Sequence, residues 1–209
     1  IIALNRPVDG KTAEEIAKIF TEIIIAPSFT KEALDILTQK KNLRLLELPD
    51  ITKPDTKDML VYKKVSGGLL VQEPDLTLWK NSEFEIVTDC KPDEAQLRDM
   101  IFGMKAVKYV KSNGILLAKD EATVGVGPGQ TNRITALELA VKYAGEKAKG
   151  SVMASDAFFP FDDCVKFAAE SGIAAIIQPG GSIRDADSIK AANEAGIPMA
   201  FTHERHFRH

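Results

Sequence analysis

Short apolar strands alternate with helices through the second half of the chain, and this alternation restricts the fold more than any other feature of the sequence. Hydrophobic periodicity predicts strands at 115–118, 123–126, 151–154, 173–178 and 199–202 and helices at 133–145, 162–171 and 184–195. Strands that alternate with helices of this length assemble into one sheet, and the helices cover its two faces. The pattern therefore predicts an α/β fold with a mixed, largely parallel sheet.

The first half shows the same alternation over shorter elements. Helices are predicted at 13–20 and 30–41, the second capped by Thr30, and strands at 22–26 and 43–48. Residues 49–57, rich in Pro, Asp, Thr and Lys, predict a solvated connector. A strand around 69–71 and polar surface up to Lys91 follow, before a long helix at 93–110. We therefore expect a first lobe at 1–50, a connector with a strand at 51–91, and a second lobe at 92–209.

Charge and composition exclude several classes of function. The 27 basic and 30 acidic side chains leave a formal charge of -3, too small an asymmetry to indicate a surface for nucleic acid or an anionic membrane. The longest apolar run, 173–177, falls far below the roughly 20 residues that cross a bilayer.

Cys90 and Cys164 lack metal-ligand spacing, so a reduced, cytoplasmic setting is expected. Ile1 and Ile2 read as the middle of a buried strand, so we expect the chain to be a fragment of a longer protein.

A glycine-rich loop follows the predicted strand 173–178 and leads into a helix. Glycines in the loop 179–182 let backbone N–H groups approach a phosphate, a carboxylate or a polar ring, and the helix dipole favours negative charge there. The alternative is a tight turn with Ser182 near the helix cap. The loop lies at the carboxyl end of a strand, where open α/β sheets bind ligands.

Arg133 stands in the first turn of a predicted helix, where a cation is unfavourable without an anionic partner. A ligand phosphate is one candidate, and a surface carboxylate is the favoured alternative. The preceding glycines Gly125, Gly127 and Gly129 resemble a dinucleotide-binding fingerprint only loosely, because Pro128 interrupts the turn.

Two further features allow a binding interpretation and a structural one. Asn113 follows a long helix, so it reads as a helix C-cap, although its amide can also meet a heterocyclic carboxamide. The rings of Phe158, Phe159 and Phe161 around Pro160 predict either a rigid wall for a flat ligand or a buried corner.

The chain closes on three histidines and two arginines within residues 203–209. The flanking arginines argue against a zinc site, since they would repel a cation, and guanidinium forks suit phosphate or carboxylate better. A frayed basic tail or an expression remnant is the alternative.

Several long segments occur in an order that is similar to one known family. They are KSNGILLAKD, ATVGVGPGQTNR, GSVMASDAFFPFDD, IIQPGGSIRDAD and RHFRH, with IIALNR, EIIIAPSF, KKNLRLLEL and VSGGLLVQ in the first half. Together they resemble the formyltransferase domain, as a C-terminal portion, of the bifunctional AICAR transformylase/IMP cyclohydrolase family of purine biosynthesis. The resemblance implies formyl transfer from 10-formyltetrahydrofolate to the 5-amino group of AICAR, with no metal required. It also implies a fold similar to cytidine deaminase, used twice, so that residues 1–50 end one lobe and 92–209 form the second.

The resemblance assigns roles to individual residues. It implies that Asn113 orients the AICAR carboxamide and that Arg133 binds the nucleotide. The remaining substrate contacts implied are Glu22, Phe158 and Arg205, and the folate-side positions implied are Ile134, Asp163, Ser182 and Ile183. Relatives assemble this site across a homodimer interface, so a homodimer is expected here.

The sequence departs from the family pattern in three respects. The family's catalytic Lys-His pair lies upstream of the matching segments, and none of the three histidines here precedes position 203. The cyclohydrolase domain, further upstream, is also absent from this sequence. Asp162 stands where many relatives carry Arg. Two hypotheses therefore remain open: formyl transfer, or a binding and dimerisation fragment that holds ligand without turning it over.

Overall fold

A computed structural model describes residues 1–53, 59–76 and 84–208. The chain divides into two compact units, Ile1–Pro74 and Asp75–His209, so the division falls inside the predicted connector. Residues 54–58 and 77–83 of that connector lie outside the described residues, as does His209. The three-region division proposed from the sequence stays a prediction.

The first unit contains a small parallel sheet and two helices. The sheet has the order β1 (Ile2–Ala3), β2 (Ile23–Ala26) and β3 (Arg44–Glu47), and α1 (Gly10–Ala17) and α2 (Lys31–Leu37) connect its strands. Thr30 caps α2 as predicted, since its side chain accepts a hydrogen bond from the amide of Ala33 at 3.3 Å. Buried apolar residues of both helices and of β2 form the core of this unit.

A separate hairpin completes the first unit. It consists of β4 (Val61–Val65) and β5 (Gly68–Gln72), paired antiparallel, and every residue of both strands is exposed. Gly67, at φ +81°, forms the turn because L side chains rarely adopt this backbone conformation. The strand predicted around 69–71 is therefore present.

The second unit is built on a six-stranded sheet. Its strands are β6 (Glu85–Ile86), β7 (Ile115–Lys119), β8 (Ala122–Gly127), β9 (Val152–Ser155), β10 (Ala175–Gln178) and β11 (Met199–Phe201), in the spatial order β6-β11-β10-β9-β7-β8. The central strands β9, β10 and β11 run parallel, whereas the β7–β8 hairpin and the edge strand β6 pair antiparallel. The predicted mixed α/β sheet is thus confirmed.

Helices cover both faces of this sheet, as the sequence predicts. The long helix α3 (Glu94–Val107) packs on one face, and α4 (Arg133–Ala144), α5 (Asp163–Glu170) and α6 (Asp185–Ala195) pack on the other. Successive strand residues alternate between the two cores: Leu117 belongs to the core under α4, whereas Leu116 belongs to the core under α3. Asp93 begins α3 with a capping box that it shares with Gln96.

Two glycines of β8 allow α4 to approach the sheet closely. A Cβ atom built on Gly127 would lie 1.8 Å from the carbonyl oxygen of Ala136, and one built on Gly125 would lie 2.2 Å from that of Ala140. The glycine pattern that loosely resembles a dinucleotide fingerprint thus has a packing role. Within the described residues, no helix is long and apolar enough to cross a membrane.

Candidate ligand-binding site at the carboxyl edge of the second sheet

The loops that could hold a ligand all leave the same edge of the second sheet. The parallel strands β9, β10 and β11 end there, at Ser155, Gln178 and Phe201. Because β7 pairs antiparallel with β9 and β8, its first residue, Ile115, and the last residue of β8, Gly127, lie at this edge as well. The segments around Asn113 and Arg133 are thereby brought to the loops that follow the parallel strands, which is where open α/β sheets bind ligands.

A cavity of about 590 Å³ opens between the three loops that follow the parallel strands. Its lining consists of Phe158, Pro160, Gly181, Ser182, Ile183, Arg184 and Arg205. Four of the predicted site residues, Phe158, Ser182, Ile183 and Arg205, are therefore brought together. Apolar walls with a few charged groups are typical of sites for small organic anions.

The three phenylalanine rings divide between the two roles that the sequence allows. Phe159 is fully buried in the core, so it fills the predicted corner. Phe158 forms a wall of the cavity, with the guanidinium carbon of Arg205 5.3 Å from its ring centroid. Phe161 is exposed, and the guanidinium carbon of Arg184 lies 5.2 Å from its centroid. Both distances are within the range of cation–π interactions.

Arg133 is buried and forms an ion pair with Asp156, which is inaccessible to solvent. Its Nη1 also donates to Ser155 Oγ at 3.0 Å, and its Nη2 donates to Asn113 Oδ1 at 2.9 Å. The favoured prediction of a carboxylate partner is correct, but the carboxylate is buried and not at the surface. The lining of the cavity does not include Arg133.

Asp156 connects Arg133 to the segments on either side of the cavity. Its Oδ2 accepts hydrogen bonds from Ser112 Oγ at 2.5 Å and from the amide of Gly114 at 3.0 Å. Its backbone carbonyl accepts from the amide of His206 at 2.9 Å, next to Arg205. Phe158 lies two residues beyond Asp156, and Arg205 directly precedes His206, so Asp156 connects the segments that carry the two members of the Phe158–Arg205 pair.

Asn113 is not a helix C-cap, because α3 ends at Val107 and its C-cap is Lys108. Asn113 instead follows a cis peptide bond from Ser112 and lies against Gln130, whose carbonyl accepts from Asn113 Nδ2 at 3.0 Å. Its Oδ1 accepts from Arg133. The structure thus brings together Asn113 and Arg133, two of the residues that the resemblance assigns to AICAR.

The expectation that backbone amides of the loop 179–182 bind an external anion is wrong. The amides of Gly181 and Ser182 donate to Oδ2 of Asp185, at 2.7 and 3.1 Å, and the amide of Gly180 donates to Gln178 Oε1 at 3.0 Å. A carboxylate of the chain itself occupies the position of the anion. The loop nevertheless contributes Gly181 and Ser182 to the cavity lining, next to the fully exposed Ile183.

The closing segment is anchored as far as Arg208, so a frayed tail is the wrong interpretation. His206 is only 2 % exposed, and its Nδ1 lies 2.8 Å from Asp75 Oδ2. The amide of Arg208 donates to Ser112 Oγ, and the carbonyl of Arg208 accepts from the amide of Ser112, both at 2.9 Å. These contacts present the exposed Arg205 side chain to the cavity.

Three further predicted site residues, besides Asn113 and Arg133, lie outside the cavity lining. Ile134 is half-buried and packs against the core under α4. Asp163 is the first residue of α5, and its Oδ1 accepts from the amide of Cys164 at 2.8 Å. Glu22 belongs to the first unit, where it is exposed and directly precedes β2.

Sequence reasoning missed two residues at this edge, Asp156 and Arg184. A carboxylate directly after the buried strand β9 is a detectable signal, because a buried charge requires a partner. Arg184 lines the cavity beside Ser182 and Ile183, and its position next to the glycine loop was the available signal.

Burial and the neighbouring Asp163 raise the pKa of the buried Cys164 thiol, near this edge, to about 12, so it stays protonated.

The fold and the site define a mixed α/β protein with an arginine-lined, partly aromatic cavity at the carboxyl edge of its sheet. Comparison with known proteins then identifies the family: residues 1–143 match the AICARFT/IMPCHase bienzyme family, and the chain belongs to it. The family resemblance stated from the sequence is therefore confirmed. The placement of the chain as a C-terminal portion is not supported by this match and stays a prediction.

Curated relatives are similar over the whole chain. Proteins named "Bifunctional purine biosynthesis protein PurH" are 61% identical in Acetivibrio thermocellus and 58% identical in Ruminiclostridium cellulolyticum, each over 100% of this chain and 41% of the relative. The Bacillus subtilis relative of the same name is 56% identical over 100% of this chain and 40% of its own length. The chain thus spans about two fifths of the length of these relatives.

Solved structures show only a partial likeness. Acinetobacter baumannii RibD, form 1, aligns with a TM-score of 0.41 and 16% identity, over 51% of this chain and 35% of that one. This likeness is too slight to support an argument, so the similarity to cytidine deaminase stays a prediction.

Proposed function

We propose that this chain forms part of an enzyme of purine biosynthesis that transfers a formyl group from 10-formyltetrahydrofolate to the 5-amino group of AICAR. Membership of the bienzyme family supports the proposal, and so does its similarity to relatives named as a bifunctional purine biosynthesis protein. The observation that carries it is the Phe158–Arg205 pair, which forms part of the cavity wall. Phe158 lies two residues after Asp156, which belongs to the hydrogen-bonded network of Arg133, Asp156 and Asn113.

The proposed reaction needs orientation, because an aromatic amine conjugated to a carboxamide is a weak nucleophile. The amine nitrogen attacks the formyl carbon, the bond from that carbon to N10 of the folate breaks, the amine loses a proton and N10 gains one. Holding both substrates in one cavity lowers the entropic cost of this encounter. Donors near the formyl oxygen stabilise its developing negative charge.

The site residues divide between the two substrates in this proposal. Arg205 binds the AICAR nucleotide, and its stacking partner Phe158 packs against the AICAR ring. Asn113, oriented by Arg133, faces the carboxamide, which offers both a donor and an acceptor. Ser182 and Ile183 border the folate. Glu22, Ile134 and Asp163 remain proposed contacts that rest on the family resemblance alone.

Arg133 acts as a positioning residue in this proposal. Its guanidinium is 7 % exposed and is held by Asp156, Ser155 and Asn113. An arginine that makes these contacts fixes the orientation of the Asn113 amide. Its contribution to nucleotide binding is therefore exerted through Asn113.

Proton transfer falls to groups that the chain does not supply. The family resemblance assigns it to a Lys-His pair upstream of the matching segments, and no histidine of this chain precedes position 203.

The same resemblance leads us to propose IMP cyclohydrolase activity elsewhere in the parent protein, a cytoplasmic location, and a homodimer with the site at its interface. No metal has a role in the proposed reaction.

Turnover with both substrates tests the proposal. The 209-residue chain and the full-length protein that contains it are assayed with AICAR and 10-formyltetrahydrofolate, following the loss of the formyl group from the folate. We expect formyl transfer by the full-length protein, and a large loss for its Arg205→Gln variant. An unchanged rate for that variant would refute the assigned role of Arg205, and no transfer by the full-length protein would refute the proposed function.

The position of the histidines favours a second candidate for the isolated chain, a binding and dimerisation fragment. This candidate predicts that the 209-residue chain binds AICAR but does not release formylated product. Turnover by the short chain eliminates it.

A further inference from the structure

Both arginines that line the cavity are paired with a phenylalanine ring, and the proposed function uses only one of these pairs. Arg205 stacks on Phe158, at 5.3 Å, and is assigned to the nucleotide. Arg184 stacks on Phe161, at 5.2 Å, and lines the same cavity. The second pair has the same chemistry, a guanidinium held over an aromatic face, and lacks an assigned ligand.

The guanidinium of Arg184 is only weakly engaged within the chain. Its Nε lies 3.7 Å from Asp187 Oδ2, and the two side chains are 56% and 57% exposed, so solvent weakens this ion pair. Among the residues that the structure describes, neither of its terminal amino groups donates a hydrogen bond. Stacking on Phe161 holds the guanidinium plane, and its outward N–H groups can meet a carboxylate in a two-point contact.

Exposure increases along the cavity from Phe158 to Arg184. Phe158 is half-buried and lies two residues from the fully buried Asp156, whereas Phe161 is 52% exposed and Ile183 is fully exposed. A ligand that fits this gradient has its reacting end near Phe158, an apolar middle against Ile183, and an anionic end in solvent beside Arg184. A folate has this order: pterin and formyl group, benzoyl ring, then glutamate.

Local charge favours a single carboxylate over a phosphate dianion at this position. The charged side chains near Arg184 include Asp187, the ion pair of Asp162 and Lys166, whose Oδ2 and Nζ are 2.7 Å apart, and the adjacent Asp185, which accepts from the amides of Gly181 and Ser182. Three carboxylates thus stand near two cations. One guanidinium in such surroundings suits a monoanion, whereas a phosphate dianion is favoured by a cluster of cations.

We infer that Arg184, seated on Phe161, determines specificity for the folate co-substrate by binding a carboxylate of its glutamate. This inference rests on the proposed formyl transfer from a folate. It assigns to Arg184 and Phe161 a ligand group distinct from the nucleotide that Arg205 binds.

A cycle of variants and ligands tests the assignment. Binding of 10-formylfolate and of 10-formylpteroate, which lacks the glutamate, is measured by calorimetry for the unmodified chain and for Arg184→Gln. Lys190→Gln is the matched control, because it removes one positive charge from an exposed position on the same helix. We expect Arg184→Gln to weaken 10-formylfolate binding about threefold to tenfold and to leave 10-formylpteroate unchanged.

Each outcome of this cycle bears on one claim. Equal weakening of both ligands by Arg184→Gln, or none, overturns the carboxylate assignment. Weakened binding of AICAR by Arg184→Gln, with 10-formylfolate unaffected, shows that Arg184 binds the nucleotide phosphate and likewise overturns it. If neither the unmodified chain nor the full-length protein binds either folate compound, the proposed function itself is refuted.

Discussion

Nη2 of Arg133 lies 2.9 Å from Oδ1 of Asn113 and donates a hydrogen bond to it, although the two residues are 20 positions apart. The β7–β8 hairpin brings them together, because the segment before β7 and the segment after β8 meet at one edge of the sheet. With Oδ1 facing a guanidinium, the Asn113 amide can adopt only one orientation. One of its two Nδ2 hydrogens then donates to Gln130, and the other is available for a ligand.

Removing Arg133 is expected to cost much of the stability of the second unit. Arg133→Met leaves the buried Asp156 carboxylate without its cation, which typically costs about 3–5 kcal/mol in the free energy of unfolding. Urea denaturation of the variant at pH 7 measures this cost. The double variant Arg133→Met/Asp156→Asn should lose less than the sum of the two single variants, because neither charge is then left alone. Additive losses would contradict the buried-pair interpretation.

Gly127 is expected to tolerate no side chain. In Gly127→Ala the new Cβ would lie 1.8 Å from the backbone oxygen of Ala136, so α4 must move away from β8, at a cost of about 3 kcal/mol or more. The matched control is Gly68→Ala in the exposed hairpin, where a Cβ meets no atom within 4 Å. Thermal unfolding of the two variants should separate them clearly, and similar melting temperatures would show that the helix does not depend on this close approach.

The turn between β7 and β8 should depend on a carboxylate from α3. Asp120 and Glu121 both adopt positive φ, +55° and +54°, and their amides donate to Asp99 at 3.1 and 2.7 Å. Asp99→Ala should destabilise the protein by about 2 kcal/mol, because it leaves two amide donors without their partner. Glu121→Gly should stabilise it by up to about 1 kcal/mol by relieving the backbone strain. Chemical denaturation that gives the same sign for both variants would argue against this account.

Cys164 should be unreactive in the folded protein. Burial, with the Asp163 carboxylate beside it, raises the pKa of its thiol to about 12, so the reactive thiolate is not formed at neutral pH. A disulfide reagent at pH 8 should therefore modify Cys90, which is partly exposed, and reach Cys164 only after denaturation. Rapid modification of two thiols in the native chain would contradict the burial of Cys164.

The same thiol affects stability at high pH. The unfolded thiol ionises near its ordinary pKa of 9.0, whereas the folded one does so near 12, so unfolding is favoured as pH rises between these values. Cys164→Ala should remove this part of the pH dependence of the unfolding free energy. An unchanged slope between pH 9 and 11 would argue against the raised pKa.

Periodicity predicts most elements of the second unit well, because the central strands of its sheet are buried on both faces between helices. Strands β9 and β10 are fully buried along their length, which gives the continuous apolar runs that were recognised. The edge strand β6 was not predicted. It has only two residues, Glu85 and Ile86, and its existence depends on antiparallel pairing with β11 over 100 positions away.

The site was harder to predict, because its contacts depend on side-chain directions between distant segments. Asp185 was assigned to the start of a helix, but nothing in the sequence showed that its carboxylate turns back to the amides of Gly181 and Ser182. His206 appeared to belong to a loose tail, and its burial depends on Asp75, 131 positions away. The C-cap interpretation of Asn113 is wrong because α3 ends at Val107, three residues before the end that its sequence pattern indicates.

Binding of AICAR to the cavity is the most direct test of the central claim, that the Phe158–Arg205 pair beside the Arg133–Asn113 network holds the nucleotide. Calorimetric titration compares the unmodified protein with Arg205→Gln and with the control variant Arg98→Gln. Arg98 is an exposed residue of α3, which covers the opposite face of the sheet from α4, α5 and α6. The account predicts that Arg205→Gln weakens AICAR binding by about tenfold or more and that Arg98→Gln leaves it unchanged. Equal AICAR affinity in all three proteins would contradict it.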